Sequence, residues 1–183
     1  MAILQKLKEH FSRDSVTLDL QDIQALILRS RPEPYVGVHA MLHFDEAAGA
    51  RNLLGRLAPH IASADNWSED LDFWIGAALS FEGLKALGVP DAQLKTFPLP
   101  FQQGMAARAE QLRDFGPNAP ENWEDVFKPG NCHLALTIYA VDDDALDKAL
   151  ATARTELDRS SGVTLLGEHR FGAPDGAKNP FGF

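Results

Sequence analysis

The sequence predicts an α+β domain in which four strands and two long helices follow the order βαββαβ. Three segments alternate apolar and other residues with the period of a strand, and a fourth strand follows Gly162. They lie at residues 35–44, 71–80, 132–140 and 163–171. Two further segments repeat apolar residues at helical spacing, from Asp45 to about Ala62 and from Asp142 to Gly162. Together these patterns give an antiparallel sheet with two crossover helices.

The N-terminal residues 1–34 predict an arm and a short helix ahead of the first strand. Asp19 is of a helix-capping type, and Ile23, Leu26 and Ile27 share one helical face. Pro32 and Pro34 interrupt any helix before the strand begins.

The crossover helices carry their own start and stop signals. Asp45 is the predicted cap of the first helix. The run Asp142–Asp144 favours the N-terminus of the second helix electrostatically, and Gly162 ends it. The same three carboxylates could suggest a cation site, but capping explains them more simply.

Between the second and third strands, residues 81–129 predict a helical insertion. Short helices fit 81–87 and 91–96, and a longer helix fits 100–113. Glycine and proline predict a loop over 115–120. The resulting domain plan is an arm and helix at 1–34, a ferredoxin-like domain at 35–171 and a tail at 172–183.

One sheet face is apolar and suits the two crossover helices, whereas the other mixes aromatic and polar side chains. The mixed set comprises Tyr35, His39, Met41, His43, Trp74, His133, Thr137 and Tyr139. This face is too aromatic for a plain solvated surface and too polar for a full core. Either the chain's own loops and inserted helices cover it, or another protein layer packs there.

Candidate ligands for a metal are sparse in the sequence. His39 and His43 share a strand face, but four residues at the rise of a strand place them too far apart for one ion. Cys132 is the only cysteine and lies in an apolar run, which predicts a small buried hydrophobe. No metal site is predicted.

Composition excludes several classes of function. The formal net charge of −9 disfavours nucleic-acid binding and docking on anionic membranes. The sequence also has no apolar run of membrane-spanning length and no secretory leader pattern. A cytoplasmic protein is therefore predicted.

Four segments, in order, resemble the dye-decolourising (DyP-type) haem peroxidase family. They are LDLQDIQALIL at 18–28, AALSFEGLKALG at 77–88, FPLPFQQGMAARA at 97–109 and DFGPNAPENW at 114–123. The resemblance covers the chain from about residue 16 to its end, but only the first half of the family's fold. It implies two ferredoxin-like halves with packed sheets, and haem b held by the second half.

The resemblance further implies the activity of the complete protein, which is oxidation of aromatic substrates by hydrogen peroxide. The proximal histidine and distal arginine belong to the second half, and no histidine here matches the proximal position. We therefore expect the chain to be an incomplete N-terminal half, inactive alone and not retaining haem. Its partner would be the second ferredoxin-like half or another copy of the chain.

Site residues carried over by the resemblance lie in the tail. Asn179–Phe183 resembles the start of the family's distal loop, which makes Phe181, Gly182 and Phe183 candidates for contact with the cofactor. The chain stops just before the loop's Asp-Gly step. Alternatively, Gly172–Gly176 is itself the distal motif and Asp175 the catalytic acid, although this stretch also reads as a simple turn.

Two rival functions are compatible with the residues. The first is a non-catalytic ferredoxin-like interaction or assembly domain that uses the mixed sheet face to dimerise. The second is a ferredoxin-like enzyme, haem-degrading or acting on a small molecule, that uses the face bearing His39, His43 and His133.

Overall fold

The computed structural model describes residues 18–28, 35–66, 68 and 70–173. Four strands form one antiparallel sheet in the order β2-β3-β1-β4. Their bounds are β1 Val36–Phe44, β2 Phe73–Leu79, β3 Leu134–Ala140 and β4 Val163–Gly172. This order and pairing confirm the predicted ferredoxin-like α+β fold.

Seven α-helices accompany the sheet in the described residues. They are α1 Ala25–Leu28, α2 Ala47–Leu57, α3 Phe81–Ala86, α4 Asp91–Leu94, α5 Leu99–Gln103, α6 Ala109–Leu112 and α7 Asp143–Asp158. Helices α2 and α7 are the two crossovers, and α3 to α6 belong to the predicted insertion. Within the described ranges, no helix has both the length and the hydrophobicity needed to cross a bilayer.

The core lies between the sheet and the crossover helices. Val38, Ile75 and Ile138 pack with the apolar stripe of α7. Leu42 and Leu134 pack with Leu53 and the rest of the α2 stripe. The apolar sheet face predicted from the alternation is therefore the face that the helices cover, because its side chains repeat every second residue.

Several predicted boundaries were wrong. Helix α2 ends at Leu57 rather than near Ala62, because Pro59 falls in a 3₁₀ turn over Ala58–His60. Asp45 does not cap it. The cap position is Glu46, and the Asp45 carboxylate instead accepts a hydrogen bond from the Thr164 hydroxyl at 3.0 Å. By contrast, Asp142 does cap α7, accepting from the Ala145 N–H at 2.8 Å.

The helices predicted over 19–28 and 100–113 are both interrupted. The first consists of a 3₁₀ turn at Leu20–Asp22, an extended Ile23 and the single turn of α1, and Ile27 is exposed. The second breaks at Gly104, whose φ of 71° is outside helical space. At the strand ends, Leu71 and Cys132 lie outside β2 and β3. The predicted domain boundaries remain predictions.

Candidate functional site

An aromatic cluster marks one end of the sheet face opposite the crossover helices, which we call the second face. Phe171 of β4 lies 4.5 Å from His39 and 5.0 Å from Tyr139 between ring centroids. Tyr35 meets Tyr139 edge to face at 5.5 Å. Gly37 makes room for this arrangement, since a Cβ there would lie 2.4 Å from the Phe171 ring. All four rings are half-buried.

A stacked histidine pair occupies the other end of the second face. The rings of His43 and His133 lie 4.2 Å apart and nearly parallel. His43 Nδ1 is 2.7 Å from the Asn131 carbonyl, and the Phe44 N–H donates to His133 Nδ1 at 2.9 Å. Burial lowers the pKa of His133, and the neighbouring His43 lowers it further. The neutral form of His133 is therefore favoured.

His39 is the third histidine of the second face, and it is separate from that pair. Its Nδ1 lies 2.9 Å from the Thr137 hydroxyl. Burial lowers its pKa, with a further contribution from His169 on the adjacent strand. His39 and His43 were predicted to lie apart on this face. Their rings hydrogen-bond to different partners, Thr137 and Asn131, which agrees with that separation.

Parts of the second face are covered by the chain itself. Phe127 from the insertion packs on the His169 ring at 5.5 Å, and Glu124 lies 3.5 Å from His169 Nε2. At the other sheet edge Leu26 lies over Gly76. Trp74 is 1% exposed, whereas the aromatic cluster stays half-buried. The chain's own insertion and N-terminal segment therefore cover parts of this face, and packing of another protein layer on the rest stays a prediction.

Beside the histidine pair, the insertion and the approach to β3 enclose an apolar groove of about 990 Å³. Its apolar lining includes Phe81, Phe101, Met105, Trp123, Phe127 and Pro129. Glu82, Glu124 and Lys128 contribute charged groups. Phe101 also meets Phe81 and Phe97 ring to ring, at 5.9 and 5.2 Å. Such a lining suits an apolar or aromatic partner.

Cys132 also lines this groove, half-buried rather than in the core. Burial raises the pKa of its thiol, which the backbone at Leu42 only partly offsets. A protonated thiol is a poor nucleophile and a poor metal ligand. Cys132 was predicted to be a small buried hydrophobe. It lies among apolar residues as predicted, but it is only half-buried.

The described residues contain no group of three or more His, Cys, Asp or Glu side chains placed to hold a metal ion. The lining of the groove contains no histidine, and His43 and His133 are stacked on each other.

The site residues predicted in the tail, Asp175, Phe181, Gly182 and Phe183, lie outside the described residues. The structure follows the chain to Ala173, whose N–H donates to the Tyr35 carbonyl at 2.9 Å just beyond β4. The groove, in contrast, was not predicted. The sequence signal for the groove was the concentration of aromatic residues in the insertion. The sequence analysis interpreted that segment only as helices and loops.

Comparison with known proteins supports the fold at the level of sequence and structure. The sequence profile of the DyP dimeric alpha+beta barrel domain matches residues 49–170, which is more than half of the chain. No curated protein matches the sequence significantly.

Solved structures of dye-decolourising peroxidases share the fold. An ancestral D-type enzyme superposes with a TM-score of 0.72 at 23% identity over 85% of this chain and 35% of its own. A fungal DyP-type peroxidase from Auricularia auricula-judae gives 0.69 at 21% identity, over 87% and 34%. DyP2 from an Amycolatopsis species gives 0.68 at 23%, over 82% and 32%. The chain thus spans about a third of the length of these relatives.

The fold and the sheet order define a ferredoxin-like α+β domain. The chain belongs to the DyP dimeric alpha+beta barrel domain family.

Proposed function

We propose that this chain is the N-terminal half of a DyP-type haem peroxidase and that the complete protein oxidises aromatic substrates with hydrogen peroxide. The observation that carries the proposal is the match of the chain to longer peroxidases, at TM-scores near 0.7 over about a third of their length. One of these relatives has had its haem pocket engineered for asymmetric sulfoxidation.

In this proposal haem b supplies the oxidation chemistry of the complete protein. The described residues would supply the scaffold and the apolar groove, and the ligand of the iron would come from the second half. Asp175 as distal acid, and Phe181, Gly182 and Phe183 as contacts of the cofactor, remain proposals for the tail. We propose a cytoplasmic location as well, which agrees with a single cysteine that can form no disulfide within the chain.

The alternative proposal is a non-catalytic assembly domain. The half-buried aromatic cluster on the second face favours it, since Tyr35, Tyr139 and Phe171 present apolar area that a second sheet could bury. The two proposals share this surface and differ in whether a haem-binding half covers it.

Absorption spectroscopy of the purified chain mixed with haem tests the main proposal. We expect no stable Soret band and no peroxide-dependent dye oxidation from residues 1–183 alone. The same haem added to a chain continued through the coding sequence after Phe183 should give both. A Soret band with turnover from residues 1–183 alone would contradict the proposed incompleteness.

The coding sequence itself provides an independent check. In-frame codons for any residue, Asp and Gly directly after Phe183, followed by an Ile-Ser-like apolar run, are expected if the distal loop begins at Asn179. A stop codon at that point, together with a cofactor-free oligomer in solution, would favour the assembly domain.

A further inference from the structure

Strand β2 is an edge of the sheet and has the sequence properties of a strand that pairs readily with another. Its partner on one side is β3, and the sheet order places no strand on the other. The seven residues from Phe73 to Leu79 contain no charge and no proline. Such an apolar, uncharged edge is a template for pairing between copies unless something covers it.

Gln24 covers the middle of this edge through its side chain. Its Nε2 donates to the Ala77 carbonyl at 2.8 Å, and the Ala77 N–H donates to its Oε1 at 2.8 Å. The carboxamide thus satisfies both outward backbone groups of one β2 residue, as a neighbouring strand's residue does in an antiparallel pair. A charge-free amide is the only common side-chain group that offers a donor and an acceptor in this geometry.

Backbone bonds hold Gln24 in place. It forms an isolated bridge with Ser63. The Ala25 N–H donates to the Ala62 carbonyl, and the Ala64 N–H to the Ile23 carbonyl, both at 2.7 Å. The flanking chain therefore fixes the position of the carboxamide at the strand.

Two neighbouring contacts extend the cover along β2. Ile61 forms a bridge with Ile75, which lies two residues before Ala77 and so directs its backbone groups to the same edge. Leu26 fills the space over Gly76, where a Cβ would come within 2.9 Å of it. Gly76 is therefore suited to close approach by the covering segment.

The other edge strand, β4, is protected differently. It carries Glu168, His169 and Arg170 in sequence, and its register with β1 shifts between Met41 and Leu42. Charges and irregular pairing both discourage sheet extension. Strand β2 has neither feature, so its protection depends on the residues that lie against it.

We infer that residues 20–28 form an edge strap, in which the Gln24 carboxamide closes β2 against pairing with β2 of a second copy of this chain. The strap is independent of the proposed peroxidase function, since it concerns an edge and not the second face. Releasing it creates a homotypic pairing site along Phe73–Leu79.

Hydrogen exchange and light scattering on the full chain test the strap. Gln24→Met keeps the length of the side chain and removes both bonds, and Gln24→Glu keeps the acceptor while placing a carboxylate against the Ala77 carbonyl. We expect exchange of the Ala77 amide to rise on the order of tenfold in Gln24→Met, since a net hydrogen bond contributes about 1 kcal/mol, and to rise less in Gln24→Glu, which keeps an acceptor for that amide. Gln24→Met should also shift from monomer towards dimer as concentration rises, whereas the charge of Gln24→Glu discourages pairing along the edge.

The matched control is Gln21→Met. Gln21 lies in the same segment and is exposed, and its side chain meets only Asp65, at 3.4 Å. It should leave exchange at Ala77 and the oligomeric state unchanged. A protected Ala77 amide in Gln24→Met, or a Gln24→Met chain that dimerises no more than wild type and the control, would overturn the inference.

A cross-linking readout covers the case in which the Gln24 variants are too unstable for exchange measurements. Ala78→Cys, at an exposed position of β2, is introduced together with Cys132→Ser. Disulfide-linked dimers should form on oxidation when Gln24→Met is also present and not when Gln24 is retained. Equal cross-linking with and without Gln24 contradicts the strap.

Discussion

At the residue scale, His133 joins several elements through one imidazole ring. It accepts from the Phe44 N–H, stacks on His43 and precedes β3, while its carbonyl accepts from the Ser80 N–H. The charges that act on the ring are His43 and Asp45 from β1 and its end, and Glu82 from α3. A proton on Nδ1 would remove the bond to Phe44 and place a charge on a buried ring.

This geometry gives stability a definite pH dependence. An unfolded histidine titrates near pH 6.5, and the folded pKa values of His133 and His39 both lie below that value. Below pH 6.5 the unfolded chain therefore binds more protons than the folded chain. The free energy of unfolding has its full value above about pH 6.5 and falls as pH decreases towards the folded pKa values.

Replacement of His133 by Asn tests this account. The Asn carbonyl can still accept from Phe44, but it cannot titrate, so the loss of stability between pH 7 and pH 5 should become shallower. The remaining slope should come mainly from His39. Denaturant unfolding at several pH values measures it, with His60→Asn at an exposed position as control. An unchanged slope in His133→Asn would falsify the assignment.

At the element scale, two glycines of α2 have opposite environments. Gly49 is buried, and a Cβ there would come within 1.8 Å of the Ser161 carbonyl oxygen just after α7. Gly55, two turns further, is exposed with nothing near its missing side chain. The close approach of the two crossover helices therefore depends on the first glycine only.

Alanine at the two positions should change stability in opposite directions. Gly49→Ala forces backbone apart in a packed contact and should destabilise by about 1–3 kcal/mol. Gly55→Ala should stabilise by about 0.5–1 kcal/mol, because alanine is the better helix former. Thermal unfolding of both variants beside the wild type gives the comparison. A destabilised Gly55→Ala, or a neutral Gly49→Ala, would show that the helix contact is looser than described.

At the scale of the whole molecule, exposed apolar side chains concentrate in the insertion. Phe97, Leu99, Phe101, Met105, Leu112, Phe115 and Phe127 are each more than a third exposed. Several of them surround the groove, next to the half-buried second face. Exposed apolar area concentrated in this way marks a candidate binding surface.

This concentration predicts binding of an apolar fluorescent dye by the isolated chain. The double change Phe101→Gln and Phe127→Gln should abolish most of the dye fluorescence, because both rings line the groove. Leu71→Gln, at an exposed apolar position outside the groove lining, should leave it unchanged. An equal loss of dye fluorescence in the Leu71→Gln control would show that the dye binds elsewhere on the surface.

Sequence patterns succeeded where one physical cause dominates. Alternation located the first three strands to within about two residues, because burial on one face imposes period two. The capping of α7 by Asp142 was predicted from local chemistry alone. Asp45 failed as a cap because Thr164, 119 residues away, takes its carboxylate. The break at Gly104 was missed because a glycine inside a helical pattern does not reveal its φ.

By itself the sequence determined the α+β class, the faces of the sheet and the family resemblance, since periodicity and local motifs are written in adjacent residues. Only the tertiary structure decided that Gln24 lies against Ala77, that His43 and His133 stack, and that the insertion encloses a groove. The first two contacts join residues 53 or more positions apart, and the groove arises from an irregular chain path. Their free energy depends on three-dimensional proximity, which no local pattern specifies.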